Sequence, residues 1–319
     1  MVTLNDIQHA RGLLRGIAVR TPLVTCKLGD GRQIFIKPEN LQPIGSFKLR
    51  GAYNKISSLT PDERQRGVVA HSSGNHAQGV AYAARALGVK ATIVMPSNAP
   101  KVKLDATREL GAEIVLVGPA SEERILRAEQ LERERGLIAV PPYNDEKIVA
   151  GQGTIGLEIL EDMSTVDVVL VPVGGGGIIS GVATAIKESK SKAKVIGVEP
   201  EFAADAQASL RTGTIQKTSA ENAARTIADG LRSVSVGEIT FAHIRKYVDD
   251  IITVKEDEIK QAMRLLLFSG HLMAEPSGAV TTAAAMFHAA EIPQGATVAV
   301  LTGGNMEPQL FKEIIQGAP

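Results

Sequence analysis

Apolar residues in this chain occur in short continuous runs, separated by longer amphipathic stretches. The runs predict strands at 91–95, 114–117, 168–171, 195–198 and 297–301. Because these runs are continuous rather than alternating, we expect parallel strands that are covered on both faces. The stretches with helical periodicity predict helices at 75–87, 102–110, 121–135, 153–163, 178–189 and 256–268. This alternation is typical of α/β proteins with right-handed crossovers.

A turn-rich segment at 141–145 separates two sets of predicted strands. A compact series of strands and helices runs from about 68 to 140, and the second set of strands begins near Val168. We therefore expect two α/β units, with ligands beyond the carboxyl ends of their strands. The predicted division is a small domain at 67–143 and a large domain formed by 1–66 and 144–319.

Composition argues against several classes of function. The 35 Lys and Arg residues are balanced by 35 Asp and Glu residues, so we expect no partner that needs a basic surface, neither nucleic acid nor membrane. Cys26 is the only cysteine, which excludes an intrachain disulfide and favours a cytoplasmic location. The uncharged stretch at 168–186 contains Pro172 and four consecutive glycines, so it predicts a strand, a loop and a helix rather than a membrane span.

The run Gly174–Gly177 joins a predicted strand to a predicted helix. Backbone N–H groups in such a loop converge on an anion, and the helix N-terminus adds about half a positive charge. The spacing matches neither GxGxxG nor GxxxxGK[ST], which disfavours a dinucleotide or a nucleoside triphosphate. We expect a phosphate group held by backbone dipoles; the alternative is an ordinary flexible turn.

Three further segments carry candidate chemistry. Lys48 begins a helix within 45–51, where burial would lower the pKa of its amine and make it nucleophilic, although most lysines are solvated. The segment 71–76 joins a strand to a helix and suits either a bound carboxylate or a simple helix cap. The segment 301–305 follows the last strand and by itself predicts only a turn.

Together these segments resemble the pyridoxal-phosphate enzymes of the tryptophan-synthase-β fold group, and within it the threonine/serine dehydratase and serine racemase family. The resemblance extends over essentially the whole chain and includes 38–42, 150–154 and 227–230. It implies fold type II, an α/β fold of two domains with mostly parallel twisted sheets flanked by helices. It also implies pyridoxal 5′-phosphate in the large domain and an active site in the inter-domain cleft.

The resemblance implies a role for each matching residue. These are Lys48 for the Schiff base with the cofactor aldehyde, Phe47 against the ring, Asn75 for the 3′-oxygen, Gly174, Gly175, Gly176 and Gly177 for the phosphate, Thr302 for the pyridine nitrogen, and Ser72, Ser73, Gly74 and His76 for the substrate carboxylate. Most relatives carry Ser at the position of Thr302. A neutral hydroxyl there leaves the ring a weaker electron sink, which favours expulsion of a β-hydroxyl. Lys48 is then the base for the α-proton.

The expected reaction is elimination of water from L-threonine or L-serine, giving 2-oxobutanoate or pyruvate and ammonia. Because the resemblance implies that Ser73 is an acid/base on the face of the cofactor opposite the lysine, serine racemase with a dehydratase side activity is an alternative. A threo-3-hydroxyaspartate ammonia-lyase is another alternative, and a non-catalytic cofactor-binding protein is a third. The chain ends at Pro319, so we expect no C-terminal regulatory domain.

A possible cation site follows the strand at 195–198. Two carboxylates, Glu199 and Asp205, stand six residues apart beside a turn, a pattern that suits oxygen coordination of a hard cation. The resemblance implies Mg²⁺, Mn²⁺ or Ca²⁺ held by Glu199, the Ala203 carbonyl and Asp205; the alternative is a solvated acidic loop. We also expect a homodimer or a higher homo-oligomer.

Overall fold

The computed structural model describes residues 1–72, 74–99 and 101–317. Its strands are β1 (Val24–Lys27), β2 (Gln33–Pro38), β3 (Val68–His71), β4 (Ala91–Pro96), β5 (Glu113–Val117), β6 (Ile138–Ala139), β7 (Val168–Pro172), β8 (Lys194–Pro200), β9 (Asp250–Val254) and β10 (Thr297–Leu301). Its α-helices are α1 (Leu4–Leu14), α2 (Lys48–Ser57), α3 (Pro61–Arg66), α4 (Asn75–Ala86), α5 (Lys101–Glu109), α6 (Ser121–Arg135), α7 (Glu146–Asp162), α8 (Gly177–Glu188), α9 (Asp205–Thr212), α10 (Ala220–Ala223), α11 (Glu238–Tyr247), α12 (Glu256–Phe268), α13 (Pro276–Phe287) and α14 (Pro308–Gln316). Three 3-10 turns lie at Glu39–Leu41, Glu201–Ala203 and Asp229–Leu231.

The strands form two sheets. The six-stranded sheet has the order β1-β2-β10-β7-β8-β9, and the four-stranded sheet has the order β5-β4-β3-β6. All neighbouring strands are parallel except β1 and β2, which are antiparallel. Since parallel strands need crossover connections, helices cover the sheets. The predicted fold class is confirmed.

All five predicted strands are present, as β4, β5, β7, β8 and β10, although one has a different environment from that expected. Strand β5 lies at the edge of the four-stranded sheet, and Leu116 on it is 48% exposed. The prediction that every strand is covered on both faces is therefore wrong for β5. An apolar run does not reveal whether its strand is central or at an edge.

All six predicted helices are present, and one is longer than predicted. Helix α7 begins at Glu146 rather than at Gly153, because the carboxylate of Asp145 accepts the N–H groups of Lys147 (2.8 Å) and Ile148 (3.1 Å). The glycines inside α7 obscured its pattern. They allow close packing: a Cβ at Gly151 would lie 2.6 Å from the backbone oxygen of Arg50.

A buried cluster of charges lies under the N-terminal part of α2. Arg50 is 1% exposed, and its guanidinium donates to Glu39 and Glu158, the closest contact being 2.6 Å to Glu158 Oε1. Lys37, which is fully buried, also pairs with Glu158 at 2.6 Å. These two cations and two carboxylates join β2, α2 and α7 beneath the segment that carries Lys48.

Helix α2 also packs against α4, which contacts the four-stranded sheet. Ala52 and Ile56 on α2 share an apolar cluster with Val80 of α4 and Ile93 of β4. The four strands of the small sheet all lie within the predicted small domain, 67–143. The domain borders remain a prediction. Among the described helices, none has the length and apolar character that a membrane crossing requires.

Candidate active site

A pocket lies where the carboxyl ends of strands from both sheets meet. It is lined by residues that follow β3, β7 and β10 and by the first turns of α2 and α4. The sequence-predicted residues that line it are Phe47, Lys48, Ser72, Gly74, Asn75, His76, Gly174, Gly175, Gly176, Gly177 and Thr302. Ser73, predicted for catalysis and carboxylate binding, lies outside the described residues. The fold therefore brings together segments that are more than two hundred residues apart in sequence.

Lys48 is the first residue of α2, and its amine faces the pocket. Nζ donates to the backbone oxygen of Pro142 at 2.8 Å and lies 5.2 Å from the centre of the Phe47 ring. Burial lowers the pKa of Lys48 to about 8, against an opposing effect of Glu275. Gly79 on α4 permits this placement, since a Cβ there would lie 3.1 Å from the Lys48 carbonyl carbon.

The backbone fixes the segment before Lys48 to the end of β10. The N–H of Phe47 donates to the oxygen of Thr302 (3.1 Å), the N–H of Gly304 donates to the oxygen of Gly45 (3.0 Å), and Ser46 forms a bridge with Gly303. Thr302 is buried, and its hydroxyl donates to the backbone oxygen of Ser277 over 3.4 Å. The amine and this hydroxyl are thus held in one pocket by main-chain contacts.

Asn75 opens α4 and lies in a chain of polar side chains. Its Nδ2 donates to Glu275 Oε1 (2.7 Å), and its Oδ1 accepts from Asn305 Nδ2 (2.8 Å). Glu275 is 3% exposed, and burial, assisted by Asp229, raises its pKa to about 8. These two hydrogen bonds fix the orientation of the Asn75 amide, with its nitrogen towards Glu275 and its oxygen towards Asn305.

The glycine loop presents a bare backbone to the pocket. Within the described part of the chain, the N–H groups of Gly174–Gly177 donate to no protein acceptor, and Gly177 begins α8. The side chain of Tyr143 lies against the loop, and a Cβ on Gly175 would be only 2.2 Å from its ring. Four unsatisfied donors at a helix start fit a phosphate group.

The segment after β3 is predicted to bind a carboxylate, but its imidazole does not supply a positive charge. The ring of His76 donates from Nε2 to the backbone oxygen of Val140 at 2.8 Å. Burial, with a further effect of Lys48, lowers the pKa of His76 to about 3, so the ring is neutral. The N–H of Gly74 donates to Oγ of Ser72 at 3.2 Å. A carboxylate here would meet the first turn of α4 rather than a charged histidine.

Several pocket residues were not found from the sequence. Glu275 and Ser277 stand at the start of α13, Tyr143 follows β6, and Arg124 lies on α6. An ion pair of 2.9 Å between Lys103 on α5 and Asp229 crosses the pocket wall. Isolated residues between unremarkable neighbours carry no spacing that could have identified them.

The residues predicted to hold a cation lie elsewhere, at the end of β8. Glu199 is fully buried and Asp205 is 3% exposed. Glu199 accepts the N–H groups of Ala206 (3.1 Å) and Gln207 (2.8 Å). Neither carboxylate oxygen of Asp205 has a hydrogen-bond partner of good geometry, although the backbone N–H groups of Asp205 and Val236 face it. Burial raises the pKa of both carboxyls, that of Asp205 to about 7, and the Asp205 charge adds to the effect on Glu199.

The buried carboxylates of Glu199 and Asp205 are more consistent with a bound cation than with two acids that lack a counter-charge. Unpartnered carboxylate oxygens away from water cost free energy unless a positive charge compensates them. Among the described residues, no group of three or more His, Cys, Asp or Glu side chains is placed to hold a metal. A cation here would therefore need backbone oxygens or water besides the two carboxylates.

Comparison with known proteins agrees with the site. A model of the family "Pyridoxal-phosphate dependent enzyme" matches residues 14–303. The chain is 45% identical over 318 residues to an L-threonine ammonia-lyase of Thermotoga maritima, covering 99% of this chain and 78% of that protein. It is 40% identical over 318 residues to an L-threo-3-hydroxyaspartate ammonia-lyase of Saccharomyces cerevisiae, covering 99% and 97%.

Solved structures agree as well. A threonine deaminase isoform 2 from Solanum lycopersicum superposes with a TM-score of 0.91 at 38% identity, covering 99% of this chain and 92% of that one. The chain belongs to the family of pyridoxal-phosphate dependent enzymes. The predicted family, enzyme class and cofactor are thereby confirmed.

Proposed function

We propose that this protein is an ammonia-lyase that eliminates water from L-threonine and L-serine. The observation that carries the proposal is the convergence, in one pocket, of the Lys48 amine with its lowered pKa, the bare amides of Gly174–Gly177 and the buried hydroxyl of Thr302. The similar proteins, an L-threonine ammonia-lyase and a threonine deaminase, support the same class of reaction.

The pocket residues fit pyridoxal phosphate. Gly174–Gly177 would hold its phosphate, Lys48 its aldehyde carbon, Asn75 its 3′-oxygen and Thr302 its ring nitrogen. When bound, the cofactor supplies an aldehyde that condenses with amines and a conjugated ring that accepts electron density from the substrate Cα. Because Thr302 offers a hydroxyl rather than a carboxylate, it would leave that ring nitrogen largely unprotonated.

The side chains of this protein supply binding and proton transfer. The first turn of α4 holds the substrate carboxylate through its backbone N–H groups. As a neutral amine, Lys48 accepts the proton from Cα, and its lowered pKa increases the neutral fraction. Loss of that proton and of the β-hydroxyl releases water. Hydrolysis of the resulting imine gives the 2-oxo acid and ammonia.

Borohydride reduction of the purified protein, followed by peptide mapping, tests the lysine assignment. We expect the cofactor label on Lys48 and loss of 2-oxo acid formation in Lys48→Ala. The matched control is Lys90→Ala, at an exposed lysine, which should keep both the label and the activity. A label on another residue, or an active Lys48→Ala protein, would refute the proposal.

We also propose that Glu199, the Ala203 carbonyl and Asp205 hold a divalent cation, Mg²⁺, Mn²⁺ or Ca²⁺. The unpartnered buried oxygens of Asp205 support this. Each cation should raise the melting temperature of the wild-type protein, and Asp205→Asn should remove the rise. The control Asp257→Asn, at a carboxylate that is 83% exposed, should keep it. Equal responses of the two variants would contradict the cation site.

Three broader proposals accompany these. We propose a small domain at 67–143, a homodimer or a higher homo-oligomer, and a cytoplasmic location. Exposed apolar side chains at Leu41 (48%), Phe268 (63%) and Met273 (50%) support association with a second copy. Sedimentation analysis tests the oligomeric state, and limited proteolysis tests the domain borders.

A further inference from the structure

Asn305 follows β10 and contacts Asn75, although it does not itself line the active-site pocket. Its half-buried side chain donates from Nδ2 to the backbone oxygen of Ile44 at 2.7 Å and to Oδ1 of Asn75 at 2.8 Å. A backbone carbonyl accepts hydrogen bonds and cannot donate them, so the contact with Ile44 fixes which end of the Asn305 amide is the nitrogen. Asn305 therefore presents a donor to Asn75.

Glu275 contacts the opposite end of the Asn75 amide. Its Oε1 accepts from Nδ2 of Asn75 at 2.7 Å, and its own backbone N–H donates to the oxygen of Gly303 at 3.0 Å. If the Asn75 amide were turned over, its nitrogen would face the nitrogen of Asn305, and the hydrogen bond between these two side chains would be lost. The two partners together therefore favour one orientation of Asn75.

Two glycines make room for these partners. An ideal Cβ at Gly45 would lie 2.4 Å from Oδ1 of Asn305, and one at Gly303 would lie 2.6 Å from Oε1 of Glu275. Both glycines belong to the backbone junction between the segment that carries Lys48 and the end of β10. The junction that places the amine in the pocket thus also admits the two polar side chains.

The nitrogen of the Asn75 amide carries two hydrogens, and Glu275 accepts only one of them. Within the described residues the other hydrogen has no acceptor, and Asn75 lines the pocket, so this N–H is available to a ligand. The 3′-oxygen of the cofactor is phenolic, and a donor beside it stabilises the ionised form through a charge-assisted hydrogen bond. An acceptor at the same place would repel the ionised oxygen and weaken binding.

We propose that Asn305 is a positioning residue: with Glu275, it holds the Asn75 amide so that the free N–H points to the 3′-oxygen of the cofactor. The inference rests on the proposed function, which gives Asn75 this contact. It assigns Asn305 no contact with cofactor or substrate. Reversing the polarity of residue 305 should therefore weaken cofactor binding far more than removing that polarity.

Two substitutions of similar size separate these effects, Asn305→Asp and Asn305→Leu. The full-length protein, stripped of its cofactor, is titrated with pyridoxal phosphate and with 3-deoxypyridoxal phosphate, which lacks the 3′-oxygen. The measured quantity is the dissociation constant for pyridoxal phosphate divided by that for the deoxy analogue. This ratio removes any effect that does not act through the 3′-oxygen, including a general loss of stability.

Asn305→Leu leaves the Asn75 amide with at most two orientations of similar energy, so the ratio should rise by no more than about twofold. Asn305→Asp offers an acceptor to Asn75 and makes the wrong orientation the favoured one. Because hydrogen bonds to charged groups are typically worth about tenfold to hundredfold, the ratio should then rise by about tenfold or more. The long-wavelength absorption of the bound cofactor, which depends on an ionised 3′-oxygen, should weaken in Asn305→Asp only.

Two controls test whether the effect passes through Asn75. In an Asn75→Ala background, Asn305→Asp and Asn305→Leu should give equal ratios, because the group that they orient is absent. Asn5→Asp makes the same change at an exposed side chain of α1 and should leave the ratio unchanged. Equal ratios for Asn305→Asp and Asn305→Leu in the otherwise wild-type protein would overturn the inference, as would an effect of Asn305→Asp that persists without Asn75.

Neutron diffraction from crystals of the wild-type holoenzyme in heavy water does not depend on any variant folding. X-ray maps at ordinary resolution do not distinguish the nitrogen of an amide from its oxygen, whereas deuterium atoms on the nitrogen are visible to neutrons. We expect the Asn75 nitrogen to carry one deuterium towards Glu275 and one towards the 3′-oxygen. An Asn75 oxygen facing the cofactor would overturn the inference.

The inference and the proposed function fail separately. If wild-type holoenzyme turns over L-threonine but Asn305→Asp and Asn305→Leu behave alike, the positioning role is wrong and the proposed function stands. If the ratios follow the expected order but neither L-threonine nor L-serine is turned over, the proposed function is wrong and the positioning of Asn75 stands.

Discussion

Replacement of Gly79 by alanine tests how closely α4 and α2 must approach for Lys48 to be placed correctly. An ideal Cβ at Gly79 would lie 3.1 Å from the carbonyl carbon of Lys48 and 3.2 Å from its Cβ. Carbon atoms in optimal contact are about 3.5–4.0 Å apart, so the helices must separate by a few tenths of an ångström. Overpacking of this kind typically costs about 1–3 kcal/mol.

The intrinsic preference of a helix acts in the opposite direction. Alanine is favoured over glycine inside a helix by about 1 kcal/mol. Gly12 on α1 is the matched control, because it is exposed and a Cβ there would meet nothing within 4 Å. Gly12→Ala should therefore stabilise the protein by about 0.5–1 kcal/mol, the propensity difference alone. We expect Gly79→Ala to be less stable than Gly12→Ala by about 1–3 kcal/mol, the overpacking cost.

Urea denaturation of the two variants measures this difference directly. The same displacement should move Lys48, so kcat should fall by roughly tenfold in Gly79→Ala, since small misplacements of a reacting group are costly. If Gly79→Ala gains as much stability as Gly12→Ala and keeps wild-type kcat, the close approach of the two helices does not constrain Lys48.

Two further predictions concern stability. Arg50→Met removes the guanidinium that pairs with the buried carboxylates of Glu39 and Glu158, so urea denaturation should show that the free energy of unfolding falls by about 3–5 kcal/mol. The control Arg11→Met removes an exposed arginine and should lower it by at most about 1 kcal/mol. Equal losses in the two variants would contradict a role for burial. In the folded protein the pKa of His76 is about 3, whereas the ordinary value for histidine is 6.5. Between pH 6.5 and pH 3 the unfolded chain therefore binds one more proton at this residue than the folded chain does. Stability should therefore fall by about 1.4 kcal/mol per pH unit from this residue as the pH drops from 6.5 towards 3, and His76→Gln should make the slope shallower by about that amount; identical slopes would show that burial does not keep the ring neutral.

Local sequence was sufficient where a function depends on consecutive residues. The four glycines predicted an anion-binding loop, whereas Lys48 was singled out only by the resemblance of the combined segments to a known family; the structure places both in one pocket. Glu275 could not be found this way, because its partner Asn75 is 200 residues away and only the fold brings them together. The same holds for Arg50 and its two carboxylates, which come from three separate elements.

The environment of a strand also could not be predicted from the sequence. The apolar run of β5 looks the same as that of β4, yet only β4 is covered on both sides. Whether a strand is central depends on whether strands elsewhere in the chain pair with both of its edges. Likewise, the start of α7 depends on a cap at Asp145 that the glycines further along the helix concealed.

The junction between the lysine-bearing segment and the end of β10 consists of peptide groups. The spacing of this junction is therefore independent of the side chains around it, provided that two glycines are kept. Gly45 has a positive φ of 70°. A Cβ at Gly303 would lie only 2.6 Å from Oε1 of Glu275. Substrate preference can thus change through the walls of the cleft while the reacting groups keep their separation. One backbone junction of this kind can be combined with pockets for many amino acid substrates, so a change of substrate requires substitutions only in the walls of the pocket.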